Sequence, residues 1–132
     1  MRVLALDHGA ARCGVAVSDP TGTLATPLEA VERPGTKKGL QRLRALVEAT
    51  GAERVVVGLP VSLRGGDSAQ TRDVRQFADR LEGRLSVPVE LYDERFTTSL
   101  AAQAGGTASL DSRAAAILLD EWLRVRRPPA DR

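Results

Sequence analysis

Short apolar runs broken by turn residues open this chain, and longer helix-period stretches take over further on. Arg2 to Leu6 is rich in apolar residues and ends at Asp7, which predicts a strand. Cys13 to Val17 predicts a second strand, with Gly9 to Arg12 as the turn between the two. Asp19-Pro20-Thr21-Gly22 is a further turn signal, and Thr23 to Val31 predicts a third strand. Pro27 cannot donate to a ladder, so at least part of that strand belongs at a sheet edge. Three strands joined by tight turns make an antiparallel meander.

The period then changes. Leu40, Leu43, Leu46 and Val47 repeat at helical spacing and predict a helix over 36–49, closed by Gly51. Arg54 to Gly58 predicts a buried strand, and Leu59 to Asp67 a loop. Val74, Phe77, Ala78 and Leu81 form one stripe of a helix over 68–85. Pro88 to Tyr92 predicts a fifth strand, Thr97 to Ala104 a short helix, and Gly105 to Leu110 a small-residue loop. Asp111 to Arg126 predicts the last helix, with Asp111-Ser112 as its cap and Pro128-Pro129 beyond its end. The expected organisation is one domain over 1–127 and a frayed tail over 128–132.

The order βββ-α-β-α-β-α-α implies an α/β fold. Later strands that return through crossover helices run parallel to the first, giving a mixed sheet with helices on both faces. Ligands of such sheets bind beyond the carboxyl ends of the parallel strands.

Composition narrows the function classes. At 132 residues the chain suits one domain. Hydrophobic residues make up 42% and charged residues 27%, which excludes a disordered chain. No apolar run approaches the ~20 residues of a membrane span, and the stretch before Asp7 is too short for a secretory signal, so a cytoplasmic location is expected. The single cysteine, Cys13, excludes a disulfide framework and a multi-cysteine zinc site, and reads as a small buried hydrophobe. The single histidine, His8, argues against a Ser-His-Asp triad and reads as a loop residue. Four aromatic residues are too few for a single-strand stacking platform.

Charge is balanced in sum, 19 Lys+Arg against 17 Asp+Glu, but not in place. Between Arg33 and Val47 there are five basic residues and no acidic one. Carboxylates gather instead where strands are expected to end. Asp7 closes the first, Asp93-Glu94-Arg95 follows the fifth, and Asp111 opens the last helix. Carboxylate oxygens without nitrogen or sulfur ligands suit Mg²⁺ or Mn²⁺ rather than zinc. Two such ions ~4 Å apart can activate a water and stabilise a leaving oxygen in phosphodiester hydrolysis.

Four blocks carry a family resemblance. They are Leu4-Ala-Leu-Asp7-His-Gly9-Ala-Ala-Arg12-Cys-Gly14-Val-Ala-Val-Ser-Asp19, Val56-Val-Gly58-Leu-Pro60, Leu91-Tyr-Asp93-Glu94-Arg95-Phe-Thr97-Thr98 and Asp111-Ser-Arg-Ala-Ala-Ala-Ile-Leu-Leu. In this order they resemble the YqgF/RuvX family, RNase H-fold proteins related to Holliday junction resolvases. The resemblance implies a five-stranded sheet of order 3-2-1-4-5 with strand 2 antiparallel. It implies a metal-dependent nuclease in maturation of the small-subunit (16S) rRNA precursor. It also implies a metal and catalytic triad of Asp7, Glu94 and Asp111 holding one or two Mg²⁺ or Mn²⁺ ions. Asp93 could assist, though an outward-facing turn role suits it better. Arg12 and Arg95 would contact phosphate.

The chain departs from the family between 101 and 110, where similar proteins carry a longer Lys-rich segment and this one is short and uncharged. Nucleic-acid contacts are therefore expected from Arg64 and Arg72, from Lys37 and Lys38, or from the tail arginines Arg124, Arg126 and Arg127. RNA is the favoured partner and branched DNA the alternative. No membrane partner is expected, and the protein is a monomer or a homodimer. Two rival readings remain, a resolvase of four-way DNA junctions and a non-catalytic rRNA or ribosome-assembly binding module. Phosphate-loop and actin-like ATP binding fail for want of a Gly-Lys-Ser/Thr motif and of a second lobe.

Overall fold

The meander forms as expected, and its first two strands run longer than the apolar pattern predicts. The computed structural model describes residues 1–9, 11–60, 68–93 and 110–126, with the side chains of Leu110, Asp111 and Arg126 outside that description. Strand β1 (Val3–His8) pairs antiparallel with β2 (Arg12–Ser18), and β2 pairs antiparallel with β3 (Ala25–Glu32). The β1–β2 ladder continues through Asp7↔Gly14 to His8↔Cys13. Asp7 therefore lies inside a strand, and His8 is a strand residue rather than a loop residue. Backbone pairing extended the element where side-chain polarity signalled its end.

Helix α1 (Lys37–Thr50) comes next, then β4 (Arg54–Leu59), helix α2 (Ala69–Glu82), β5 (Val89–Asp93) and helix α3 (Leu110–Arg126). The sheet order is β3-β2-β1-β4-β5, with β4 parallel to both β1 and β5. Pro27 sits in the edge strand β3, where a missing N–H is tolerated. Thr36 caps α1 by accepting from the Gly39 N–H at 3.0 Å, and Ser68 caps α2 by accepting from the Thr71 N–H at 3.2 Å. Gly51 closes α1 at φ 72°, a left-handed conformation that glycine adopts without strain.

Two cores sandwich the sheet. Leu4, Leu6, Val15, Val55 and Val57 meet Leu40, Leu43, Val74, Phe77 and Leu81 of α1 and α2 on one face. Val3, Ala5, Ala16 and Val56 meet Ala115, Leu118, Leu119 and Trp122 of α3 on the other. Truncating one such leucine to alanine costs about 2–5 kcal/mol, so each face is held firmly.

A second expectation is corrected. Asp111 is not the cap of the last helix, because α3 already begins at Leu110 and Asp111 is helical within its first turn. The expected helix over 97–104, the loop over 61–67 and the tail over 128–132 lie outside the described residues.

Candidate catalytic edge

Side chains alternate along β1, and the two cores fix the phase. Leu4 and Leu6 face α1 and α2, whereas Val3 and Ala5 face α3. Asp7 therefore projects on the α3 face, at the carboxyl end of β1, and is half-buried. Its neighbours in register are glycines. Gly14 pairs with Asp7 across β2, and the parallel ladder that matches Leu6 with Val57 brings Gly58 alongside on β4. Gly58 pairs in turn with Tyr92 of β5. A row Gly14–Asp7–Gly58–Tyr92 thus crosses the sheet, with the carboxylate flanked by two positions that lack side chains. Burial, followed by the charges of Glu121 and Asp93, pushes the Tyr92 phenol above its ordinary value. Tyr92 therefore stays a neutral hydrogen-bond donor at neutral pH.

The start of α3 meets this row. The buried Ser112 Oγ accepts from the Val15 N–H at 3.2 Å, a bond between residues 97 apart in sequence. It falls beside an irregularity in the β2–β3 ladder between Cys13 and Val15, where Gly14 stands against two residues of β3. At its other end α3 is tied by the Trp122 indole N–H, which donates to Glu90 Oε2 at 2.9 Å, while Arg54 holds Glu90 Oε1 at 3.0 Å. The helix therefore starts at the edge that carries Asp7 and ends at the amino end of the parallel strands.

His8 and Asp93 turn away from that face. The His8 ring packs on Phe77 of α2, with centroids 4.5 Å apart and planes at 38°. Burial lowers its pKa below the ordinary value, with the Asp73 charge opposing, so a neutral imidazole is favoured. Asp93 pairs with Leu59 at the end of β5 and, by alternation with Leu91, lies on the α1/α2 side. Cys13 is fully buried, as expected.

The sequence-predicted ligands are covered unevenly. Asp7 is placed at the edge. The backbone of Asp111 lies in the first turn of α3, next to Ser112, and its side chain is outside the described residues. Glu94, Arg95 and Arg64 also lie outside them. Among the described residues no three His, Cys, Asp or Glu side chains form a metal cage.

The basic candidates separate by position. Arg12 opens β2 opposite Glu32, the last residue of β3, at the same end of the sheet as Asp7. A cleft of about 530 Å³ lies here between β3 and α1, lined by Arg12, Arg33, Lys38 and Arg42 together with Glu29 and Glu32. Lys37 and Lys38 stand exposed in the first turn of α1. Arg72 is exposed on α2. Arg124 lies in the last turn of α3, away from Asp7, and pairs with Asp120 at 2.7 Å. Sequence reading gave Ser112 only as part of a helix cap, and Arg33 and Arg42 only as members of a basic run. A polar residue in phase with the apolar stripe Ala115, Leu118 and Trp122 was the visible signal for Ser112.

A mixed 3-2-1-4-5 sheet with a carboxylate at the carboxyl edge of its first strand defines an RNase H-like fold. Comparison with solved structures agrees on the fold. RuvC of Thermus thermophilus in complex with a Holliday junction substrate superposes with a TM-score of 0.62 at 19% identity, covering 96% of each chain. Fowlpox virus resolvase superposes with a TM-score of 0.60 at 12% identity, covering 97% of this chain and 100% of that one. The family profile "RuvX: Holliday junction resolvase" matches residues 1–125. A relative from Chloroflexus aurantiacus, named "Putative pre-16S rRNA nuclease", is 39% identical over 98% of this chain and 91% of its own. One of the same name from Mycobacteroides abscessus is 42% identical over 96% of this chain and 82% of its own. The chain belongs to the RuvX family.

Proposed function

We propose that this protein is a metal-dependent nuclease that hydrolyses phosphodiester bonds of the small-subunit (16S) rRNA precursor, with residues 1–127 as one nuclease domain. The observation that carries the reading is the placement of Asp7 on the α3 face between Gly14 and Gly58, with the start of α3 tied alongside. The substrate follows the relatives' printed name, and processing of rRNA fits a cytoplasmic location. Among the described residues no helix is long and apolar enough to cross a membrane.

The donor chemistry fits a hard cation. Asp7 offers carboxylate oxygens at an edge where Cys13 and His8 both point to the other face, leaving no soft or imidazole ligand from β1 or β2 beside it. Asp7, Glu94 and Asp111 would hold one or two Mg²⁺ or Mn²⁺ ions. When bound, such ions supply an activated water and offset charge on the leaving oxygen. The chain's own residues do the rest. Gly14 and Gly58 keep the approach to Asp7 open for a sugar-phosphate backbone. Arg12, Lys37, Lys38, Arg33 and Arg42 hold flanking phosphates at the β3–α1 corner. Arg95, Arg64 and Arg72 extend the phosphate contacts.

A cleavage assay tests the reading. Purified protein and Asp7→Asn are incubated with labelled single-stranded RNA, a precursor-rRNA end and a four-way DNA junction, each with Mn²⁺ and with EDTA. RNA should be cut only with metal and only by the unmutated protein. Preferential cutting of the junction favours the resolvase reading, which the family description supports. RNA binding without any cleavage replaces both with a binding module.

A further inference from the structure

Burying a hydroxyl is costly unless it is bonded, and Ser112 is fully buried on the face of α3 that is otherwise apolar. Alanine would fill the same position without a polar atom to satisfy, as it does one turn later at Ala115. What the hydroxyl brings to the sheet is a directional bond from the Val15 backbone N–H, one residue beyond Gly14. Gly14 is the register partner of Asp7. Apolar packing of Ala115, Leu118 and Leu119 on the sheet is not directional and tolerates small axial shifts. A hydrogen bond at 3.2 Å does not. With the Trp122–Glu90 bond at the far end, α3 is pinned at both ends against sliding along its axis. A slip of one residue would move its first turn by about 1.5 Å, which is large against the ~0.2 Å tolerance of metal–ligand distances.

We propose that Ser112 is a positioning residue. Its hydroxyl fixes the first turn of α3, which carries Asp111, at the height of Asp7, and so sets the geometry in which the two carboxylates share a cation. The inference rests on the metal-site reading above. It assigns Ser112 no contact with substrate or metal.

The same molecule contains a matched control. Ser18 is buried, 1% exposed, and its Oγ accepts from a backbone N–H, that of Val3, at 2.7 Å. That bond lies at the opposite end of the same two strands. Ser18→Ala and Ser112→Ala therefore remove the same kind of bond from the same sheet, near the site in only one case.

The experiment measures Mn²⁺ binding to the substrate-free protein by electron paramagnetic resonance, and thermal unfolding without metal, for wild type, Asp7→Asn, Ser18→Ala and Ser112→Ala. Both serine variants should unfold at similarly lowered temperatures. Ser18→Ala should keep wild-type Mn²⁺ affinity, while Ser112→Ala should lose about tenfold, the low end of what losing support around metal ligands costs. Equal Mn²⁺ affinity in Ser112→Ala and Ser18→Ala overturns the proposal. If Ser112→Ala does not fold, Ser112→Cys keeps the shape of the side chain with a somewhat larger atom and substitutes a weak sulfur acceptor. Its Mn²⁺ affinity must also fall, and wild-type affinity there overturns the proposal equally. If wild type binds Mn²⁺ no better than Asp7→Asn, the metal-site reading itself falls, and the role of Ser112 with it.

Discussion

Gly39→Ala sets two rules of helix stability against each other. The residue is the third of α1 and is buried. Helix propensity favours alanine over glycine by about 1 kcal/mol. Geometry opposes it, because an added Cβ would lie 2.2 Å from the Arg33 carbonyl oxygen and 2.8 Å from the Pro34 Cα. Both are backbone atoms that cannot rotate away. Restoring ordinary contact requires the carbonyl to move by about 1 Å. That carbonyl accepts from the Thr36 N–H at 3.1 Å and from Thr36 Oγ1 at 2.8 Å. Thr36 is also the cap of α1, so losing both bonds costs about 2 kcal/mol. Arg33 already sits at φ 47°, a conformation that L-residues rarely adopt, which leaves little slack to absorb the shift. With residual overlap and the propensity gain included, the net loss is about 1–3 kcal/mol. For a chain of this size that is a drop of roughly 4–12 °C in unfolding temperature. Thermal unfolding followed by circular dichroism measures it. A variant as stable as wild type, or more so, refutes the reasoning and returns the decision to helix propensity.

Other perturbations rest on the same contacts. Trp122→Phe keeps the ring in the α3 core but removes the bond to Glu90; urea unfolding should show a loss of about 1–2 kcal/mol, and an unchanged midpoint would count against the tie. His8 has its pKa lowered by burial, so the unfolded chain binds a proton more readily than the folded one. Its contribution is complete above the ordinary histidine value and is lost as pH falls through it; His8→Phe should flatten the stability profile between roughly pH 7 and pH 5, and an unaltered profile would refute this. Converting Lys38 and Arg42 together to Gln should lower the slope of log affinity for single-stranded RNA against log salt by about 1.4, with kcat retained; an unchanged slope would remove the cleft from the phosphate path.

The element order, the mixed sheet and the buried faces of α1 and α2 were legible because they derive from apolar period and connection length, whereas the order 3-2-1-4-5 came with the family resemblance. Pro27 marked β3 as an edge strand through its missing N–H alone. Strand ends were less legible. Asp7 and His8 extend β1 because they pair with Gly14 and Cys13, and pairing partners leave no mark in a one-dimensional polarity pattern. Asp111 read as a cap because aspartate is common there, yet the helix takes in Leu110 before it. Site residues drawn from motifs were legible as residue types. Facing was legible only in part: strand alternation already turned Asp93 away from the candidate ligands, whereas His8, read as a loop residue, packs on the α1/α2 side. Ser112 read only as part of a cap because its partner, Val15, lies 97 residues away and offers only a backbone N–H.

The topology also bears on the proposed phosphate path, given that the 101–110 segment brings no positive charge. Because β2 runs antiparallel to β1 and to β3, the end of β1, the start of β2 and the end of β3 share one edge of the sheet. The chain leaving β3 must therefore set out from the edge of Asp7. It does so through Arg33 and the first turn of α1, which holds Lys37 and Lys38 and no acidic residue. Cations at a helix N-terminus oppose its dipole, by about 0.3–1 kcal/mol each, so this turn is arranged against its own stability. A phosphate at the same place reverses the sign of both effects. Arg124, by contrast, sits in the last turn of a helix that ends at the other side of the sheet, where a cation is favourable, and it is already paired with Asp120. Of the two basic groups, the one that helix electrostatics leaves uncompensated is the one that strand direction delivers to the carboxylate edge.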